Sequence, residues 1–201
     1  MSWFRVRRPA ESGKPELPPL GVLPRECAAA AVWRGRVLVT NGNDAQQRFR
    51  DLVEWDPRGL YAEKHASAQA REGQAAVSAH SLATCDGRFF YQFGGWDGMH
   101  DTAHLARYDA DERVWTEPAA LAVSGDAPNA RHFHTCVGIG RLLVLFGGYV
   151  GARSAWTDDL YTFNTGSLRR GAGLLRAAGP AALSRCSPLS ARARAPNHPP
   201  Q

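Results

Sequence analysis

The longest unbroken apolar runs in this 201-residue chain are Cys27 to Trp33 and Leu142 to Phe146. Both fall far short of the ~20 residues that a helix needs to cross a bilayer. The start, MSWFRVRRPAESG, has Arg5, Arg7 and Arg8 but no apolar stretch behind them, so the pattern of a secretory signal is missing. Pro9 and Glu11 interrupt the amphipathic helix that a mitochondrial presequence would need. Cysteine is sparse: Cys27, Cys85, Cys136 and Cys186 stand 58, 51 and 50 residues apart, and no pair has metal-ligand spacing. Reduced thiols acting as small buried apolar side chains are expected, which fits a cytoplasmic or nuclear setting. No phosphate-binding loop, dinucleotide fingerprint or nucleophile elbow occurs.

Acid is missing from one region. Residues 160 to 201 hold six arginines and no Asp or Glu, so the tail supplies +6 while the net charge of the chain is +5. The preceding 159 residues therefore sum to −1. A nucleic-acid surface would spread basic residues over a folded face with aromatics between them, and this distribution does not. The tail from Gly166 on is Gly, Ala, Ser, Pro, Leu and Arg without periodicity, and residues 166–201 are expected to be disordered.

What the chain does have is a repeat. Val37-Leu38-Val39-Thr40-Asn41-Gly42, Phe89-Phe90-Tyr91-Gln92-Phe93-Gly94-Gly95 and Leu142-Leu143-Val144-Leu145-Phe146-Gly147-Gly148 are one pattern, with the last glycines 53 residues apart each time. A second landmark follows each: Asp51-Leu52-Val53-Glu54-Trp55-Asp56, His104-Leu105-Ala106-Arg107-Tyr108-Asp109 and Asp159-Leu160-Tyr161-Thr162-Phe163-Asn164. These segments are short and β-branched or aromatic, which predicts strands rather than helices. Further strands are expected over 26–33, 79–85 and 132–139, joined to the glycine strands by tight links of which Asp86-Gly87-Arg88 is the clearest hairpin signal. Four antiparallel strands per unit at a period near 50 predict the blades of a β-propeller.

The residues resemble the kelch repeat in particular. FYQFGGWDG, LARYD and Trp115 carry the likeness in the second unit; Gly125, Pro128, Arg131 and His134 then lead into LLVLFGGY. Gly21, Pro24 and Arg25 are a shortened copy without the histidine. The resemblance implies an all-β, incomplete kelch-type propeller of about three four-stranded blades, with a disordered C-terminal tail. Its expected layout is an N-terminal segment over 1–24, units over 25–77, 78–130 and 131–165, and a basic tail over 166–201. Trp3 precedes Gly21, Pro24 and Arg25 much as Trp115 precedes Gly125, Pro128 and Arg131. Trp3 to Val6 is thus expected to supply an outer blade strand, pairing with the Tyr161 strand or its counterpart in another chain. Three blades cannot close an ordinary ring, so two apolar flanks should lie open. Self-association, pairing with a second propeller fragment, or a truncated product are the three physical options.

In such a blade the loop between the second and third strands shares a face with the blade-to-blade connection. The long loops here are 43–50, 96–102 and 149–156, and loops on a rigid scaffold are the usual home of recognition. Arg48, Arg50, Trp96, Asp97, His100, Asp101, Arg153 and Trp156 are the candidate contacts for a protein partner, because aromatic and Arg side chains dominate binding hot spots. The competing reading makes them solvated loop residues, with Trp96 and Trp156 packed between blades. Asp97, His100, Asp101 and His104 have side chains suited to a divalent transition metal, but their spacing in a non-helical loop does not bring all four to one point. The resemblance explains His80, Arg131 and His134 as blade-junction hydrogen-bonding groups. The expectation is therefore a non-enzymatic scaffold that needs no cofactor or metal and binds neither nucleic acid nor membrane. The alternatives are a propeller fragment without independent activity and a metal-dependent enzyme on the kelch fold.

Overall fold

The computed structural model describes residues 24–57, 61–64, 76–116 and 125–166. The Trp3–Val6 strand and the tail beyond residue 166 lie outside the described residues. The described part is built from strands, with a 3-10 turn over Gly151–Arg153 inside the last long loop. No helix in it is long and apolar enough to cross a membrane.

The first sheet runs in the order β1 (Ala29–Trp33), β2 (Arg36–Thr40), β3 (Leu52–Asp56) and β4 (Tyr61–Lys64), every neighbour antiparallel. The second repeats it with β5 (Ser81–Thr84), β6 (Phe89–Phe93), β7 (Leu105–Asp109) and β8 (Val114–Thr116). In the third, β10 (Leu142–Phe146) lies between β9 (Thr135–Ile139) and β13 (Leu160–Asn164). A two-stranded ribbon, β11 (Tyr149–Val150) with β12 (Ala155–Trp156), rises from its loop. The positions after β13 where a fourth strand would fall, around Arg169 and Arg170, lie outside the described residues.

Register fixes which side chains meet. Pairing of Ala83 with Tyr91 and of Tyr91 with Arg107 sends Ala83, Phe89, Tyr91 and Leu105 to one face of the second sheet. There they meet Cys136, Leu143 and Phe163 of the third. The alternate residues, Leu82, Phe90, Ala106, Tyr108 and Trp115, go to the opposite face and pack on Ala29, Trp33, Leu38 and Leu52 of the first. This is the alternation a strand's period of two imposes when both faces are covered. Each fully buried large side chain, such as Phe90, contributes about 2–3 kcal/mol by leaving water.

The junctions repeat as closely as the sheets. The amide of Ala79 donates to the Cys27 carbonyl and that of Phe133 to the Ala79 carbonyl, at 2.8 and 2.9 Å. Likewise Gly42 donates to Val77 and Gly95 to Arg131. Gly95 has φ 106°, and a Cβ there would sit 2.8 Å from the Ser78 carbonyl oxygen, so only glycine fits.

Candidate functional site

The three long loops have one construction. After each glycine pair the chain forms a narrow ribbon, seen as Asn43 opposite Arg48, Trp96 opposite Asp101 and Tyr149 opposite Trp156. The first member of each pair also bridges back to the segment that opens its own sheet, at Glu26, Ser78 and His132. Arg48, Asp101 and Trp156 are therefore equivalent positions, although no two are alike in chemistry.

Two of them tie one loop to the next. The Arg48 guanidinium lies against Gly98, where an added Cβ would stand 2.5 Å from Nη1. At the next step Asp101 accepts from the Gly151 amide at 2.6 Å and lies 2.5 Å from His132 Nδ1. The candidates Arg48 and Asp101 thus serve the junctions. Asp97 has a local task as well: its Oδ1 accepts from the amides of Met99 and His100, as Asp44 does for Gln46 and Gln47. Those two backbone donors hold the Asp97 carboxyl below the usual carboxylate range. With Asp97 and Asp101 so engaged, the Asp-x-x-His-Asp-x-x-His pattern does not converge. Among the described residues no group of three or more His, Cys, Asp or Glu is arranged to hold a metal ion.

What the loops do assemble is an aromatic group at the border of the second and third sheets. Trp96 leans on His132 at 6.0 Å between ring centroids, and His132 touches Tyr149 at 5.3 Å and Phe133 at 4.7 Å. Trp156 meets Tyr149 edge-on at 5.4 Å and stacks on Phe133 at 6.2 Å. Phe133 is 56% exposed and Trp156 69%. Of the sequence candidates, Trp96, Asp101 and Trp156 are brought together here through His132. Trp96 is half-buried, while Asp97, His100 and Arg153 lie exposed on neighbouring turns. Arg50 is exposed just ahead of β3, in the first sheet.

His132 and Phe133 were not among the expected contacts. Phe133 sits at φ 55°, in the left-handed region, as its counterparts Cys27 (φ 53°) and Ala79 (φ 54°) do. That backbone state disfavours a bulky side chain. A phenyl ring held there and half in water is therefore carried against both backbone preference and solvation.

The junction groups behave differently. His80 Nε2 lies 2.8 Å from Thr40 Oγ1 and His134 Nε2 2.9 Å from Ser81 Oγ, in line with the blade-junction role that the resemblance implies. Burial, reinforced for His80 by the neighbouring His134 and for His134 by Arg131, pushes the two histidines down to about 3 and about 4. Both are neutral at pH 7. The Arg131 side chain is wholly buried; it donates to the carbonyl of Gly147 at 2.9 Å and to Asp159 Oδ2 at 3.2 Å. Arg25 does the same in the first sheet, donating to the Asn41 carbonyl and to both oxygens of Asp51. In the second unit the two positions are Val77 and His104, so the basic and the acidic partner are replaced together.

No family model matches the chain. Among curated proteins it is 31% identical over 122 residues to the human Kelch domain-containing protein 9, covering 59% of this chain and 33% of that protein. It is 29% identical over 108 residues to the rat Kelch domain-containing protein 3, covering 49% and 26%. A third relative, the Rab9 effector protein with kelch motifs of Xenopus laevis, is 34% identical over 83 residues, covering 40% and 21%. The chain spans about a third or less of the length of these relatives. The repeated glycine strands, the sheets they build and these relatives agree: the chain is similar to kelch-repeat proteins, and its described sheets are consecutive blades of an incomplete, all-β kelch-type propeller.

Proposed function

We propose that the protein is a non-enzymatic interaction scaffold that binds a protein partner through its long-loop face, centred on Phe133, Trp156, Tyr149, His132 and Trp96. The observation that carries this reading is Phe133. Folding needs no aromatic ring at a left-handed, half-exposed position, and the equivalent residues are Cys27 and Ala79. Exposed aromatic rings preorganised against one another present apolar area at low entropy cost, which is what binding hot spots require. Met99, also exposed, extends the apolar area, and Arg153 and His100 supply a polar rim. The reduced thiols are consistent with a cytoplasmic site of action.

Phe133→Asn tests it, because Asn tolerates the left-handed backbone while removing the ring. Proteins captured by the wild-type chain from a cell extract are compared with those captured by F133N and by F133N/W156S. Partners retained by the wild type and lost with the variants, with thermal stability unchanged or raised, support the reading. An identical captured set from all three sinks it.

A further inference from the structure

We infer that the open face of the third sheet docks on the outer face of the first sheet of a second copy, around the exposed Ala30 and Val32, so that two chains close one ring. Three observations meet on this pairing.

The first is the pattern of the faces. Thr135, Val137, Ile139, Leu142, Val144, Phe146 and Leu160 share one face of the third sheet by register. They occupy the repeat positions by which Ser81, Ala83, Cys85, Phe89, Tyr91, Phe93 and Leu105 meet the third sheet. Among the described residues nothing covers them, and Val137, Ile139, Leu142, Phe146 and Leu160 are exposed. At the other end Ala30, Val32, Val37, Val39, Val53 and Trp55 share the outer face of the first sheet, at the positions by which Leu82, Phe90 and Tyr108 meet their neighbour; Ala30 and Val32 are exposed, Val37, Val39 and Trp55 half-buried and Val53 buried. An exposed apolar face such as that of the third sheet marks an association surface.

The second is size. Phe93 packs edge-on against His134, and its counterpart Thr40 meets His80. The third member, Phe146, would meet the first unit's equivalent of those histidines, which is Ala28; its Cβ stands beside Gly42 as those of His80 and His134 stand beside Gly95 and Gly148. Arg48 reaches Gly98 and Asp101 reaches Gly151, so Trp156 would reach the first unit's Ala45. Twice, the large side chain at the open end faces a small one at the other. Close packing demands such volume complementarity.

The third is the hydrogen-bond seam. Cys27 to Ala79 to Phe133 is a relay of carbonyl to amide, and Gly42 and Gly95 each donate to the following unit. Neither the Phe133 carbonyl nor the Gly148 amide has the corresponding partner among the described residues. A following first unit would supply one through the Cys27 amide and the other through the Arg25 carbonyl. The interface is head to tail, so it closes only if the rotation per sheet completes the circle. Two sets of the three described blade sheets make six, within the 4–8 blades that propellers use. Closure also places Trp156 at the join, so the aromatic group would border the second copy.

Light scattering of the full 201-residue chain after size exclusion tests this, with circular dichroism checking that each variant keeps its β-sheet signal. A discrete species of twice 21.9 kDa is expected at micromolar concentration and above. Phe146→Glu and Val32→Glu, on opposite faces, should each give monomers. Their mixture should recover a heterodimer through the one junction that combines two unaltered faces. A monomeric wild type, with its faces empty or covered by its own segments, overturns the inference. So does a mass that grows without limit, or a dimer broken by F146E and untouched by V32E, which would mean like faces pairing.

Discussion

Phe93 and Phe146 hold the same place in successive repeats, yet the first is 7% exposed and the second 49%. The difference comes from neighbours. The second sheet lies between two others, and both sets of its alternating side chains are spent on packing. The third has its Cys136, Leu143 and Phe163 face against the second and its Val137, Ile139 and Phe146 face open. One strand pattern thus serves as core in one place and as surface in another. Stability and binding capacity should divide along that line.

The largest effect should come from the covered junction. A Cβ on Gly138 would lie 1.9 Å from the Thr84 carbonyl oxygen, so Gly138→Val must push the second and third sheets apart. A loss of about 3 kcal/mol or more is expected in urea unfolding. Gly140→Ala, in an open turn at φ 61°, should cost only about 1–2 kcal/mol. Equal losses at the two glycines would show that the junction is not tightly packed.

The equivalent phenylalanines sharpen the contrast. In dilute solution Phe93→Ala should cost about 3–4 kcal/mol and Phe146→Ala less than about 1 kcal/mol, read from chemical denaturation. At higher concentration the second loss should grow if copies pair.

Next in size is acid sensitivity. His80 and His134 have pKa values lowered to about 3 and about 4, so in acid the unfolded chain binds more protons than the folded one. Their contribution is complete above pH 6.5 and declines as pH falls towards 4, by up to about 1.4 kcal/mol per pH unit for each histidine. Urea midpoints between pH 7 and 4.5 should fall accordingly, and H134Q should flatten the slope. A profile unchanged by that substitution would remove His134 from the account.

The smallest effect belongs to the loop. Asp97→Ala removes the acceptor for two amides of an exposed turn and should lower stability by less than about 1 kcal/mol in thermal melts.

The fold was legible because glycine pairs and aromatic strands are local signals repeated at fixed distance. The site was legible only in part. Trp96 and Trp156 stood out by type, but Arg48 and Asp101 read equally well as contacts. In the structure they reach Gly98 and Gly151, contacts that depend on a glycine 50 residues downstream in each case. Phe133 escaped notice because its repeat counterparts are Cys27 and Ala79, and because nothing local requires its left-handed backbone. The backbone state goes with the junction, where the Phe133 amide donates to the Ala79 carbonyl, a tertiary contact. The Asp-x-x-His pattern suited a metal by residue type and not by spacing; it is a local turn held by Asp97, as Asp44 holds the turn before it.

Amide hydrogen exchange tests the central claim most directly, because it reads each strand separately in the dilute wild-type chain. Amides of β5 and β6 should be the most protected, and those of β9 and β10 should exchange at least about tenfold faster, since local opening tracks buried contacts. Equal protection of the two regions at a concentration where the chain is monomeric would contradict a covered second sheet beside an open third.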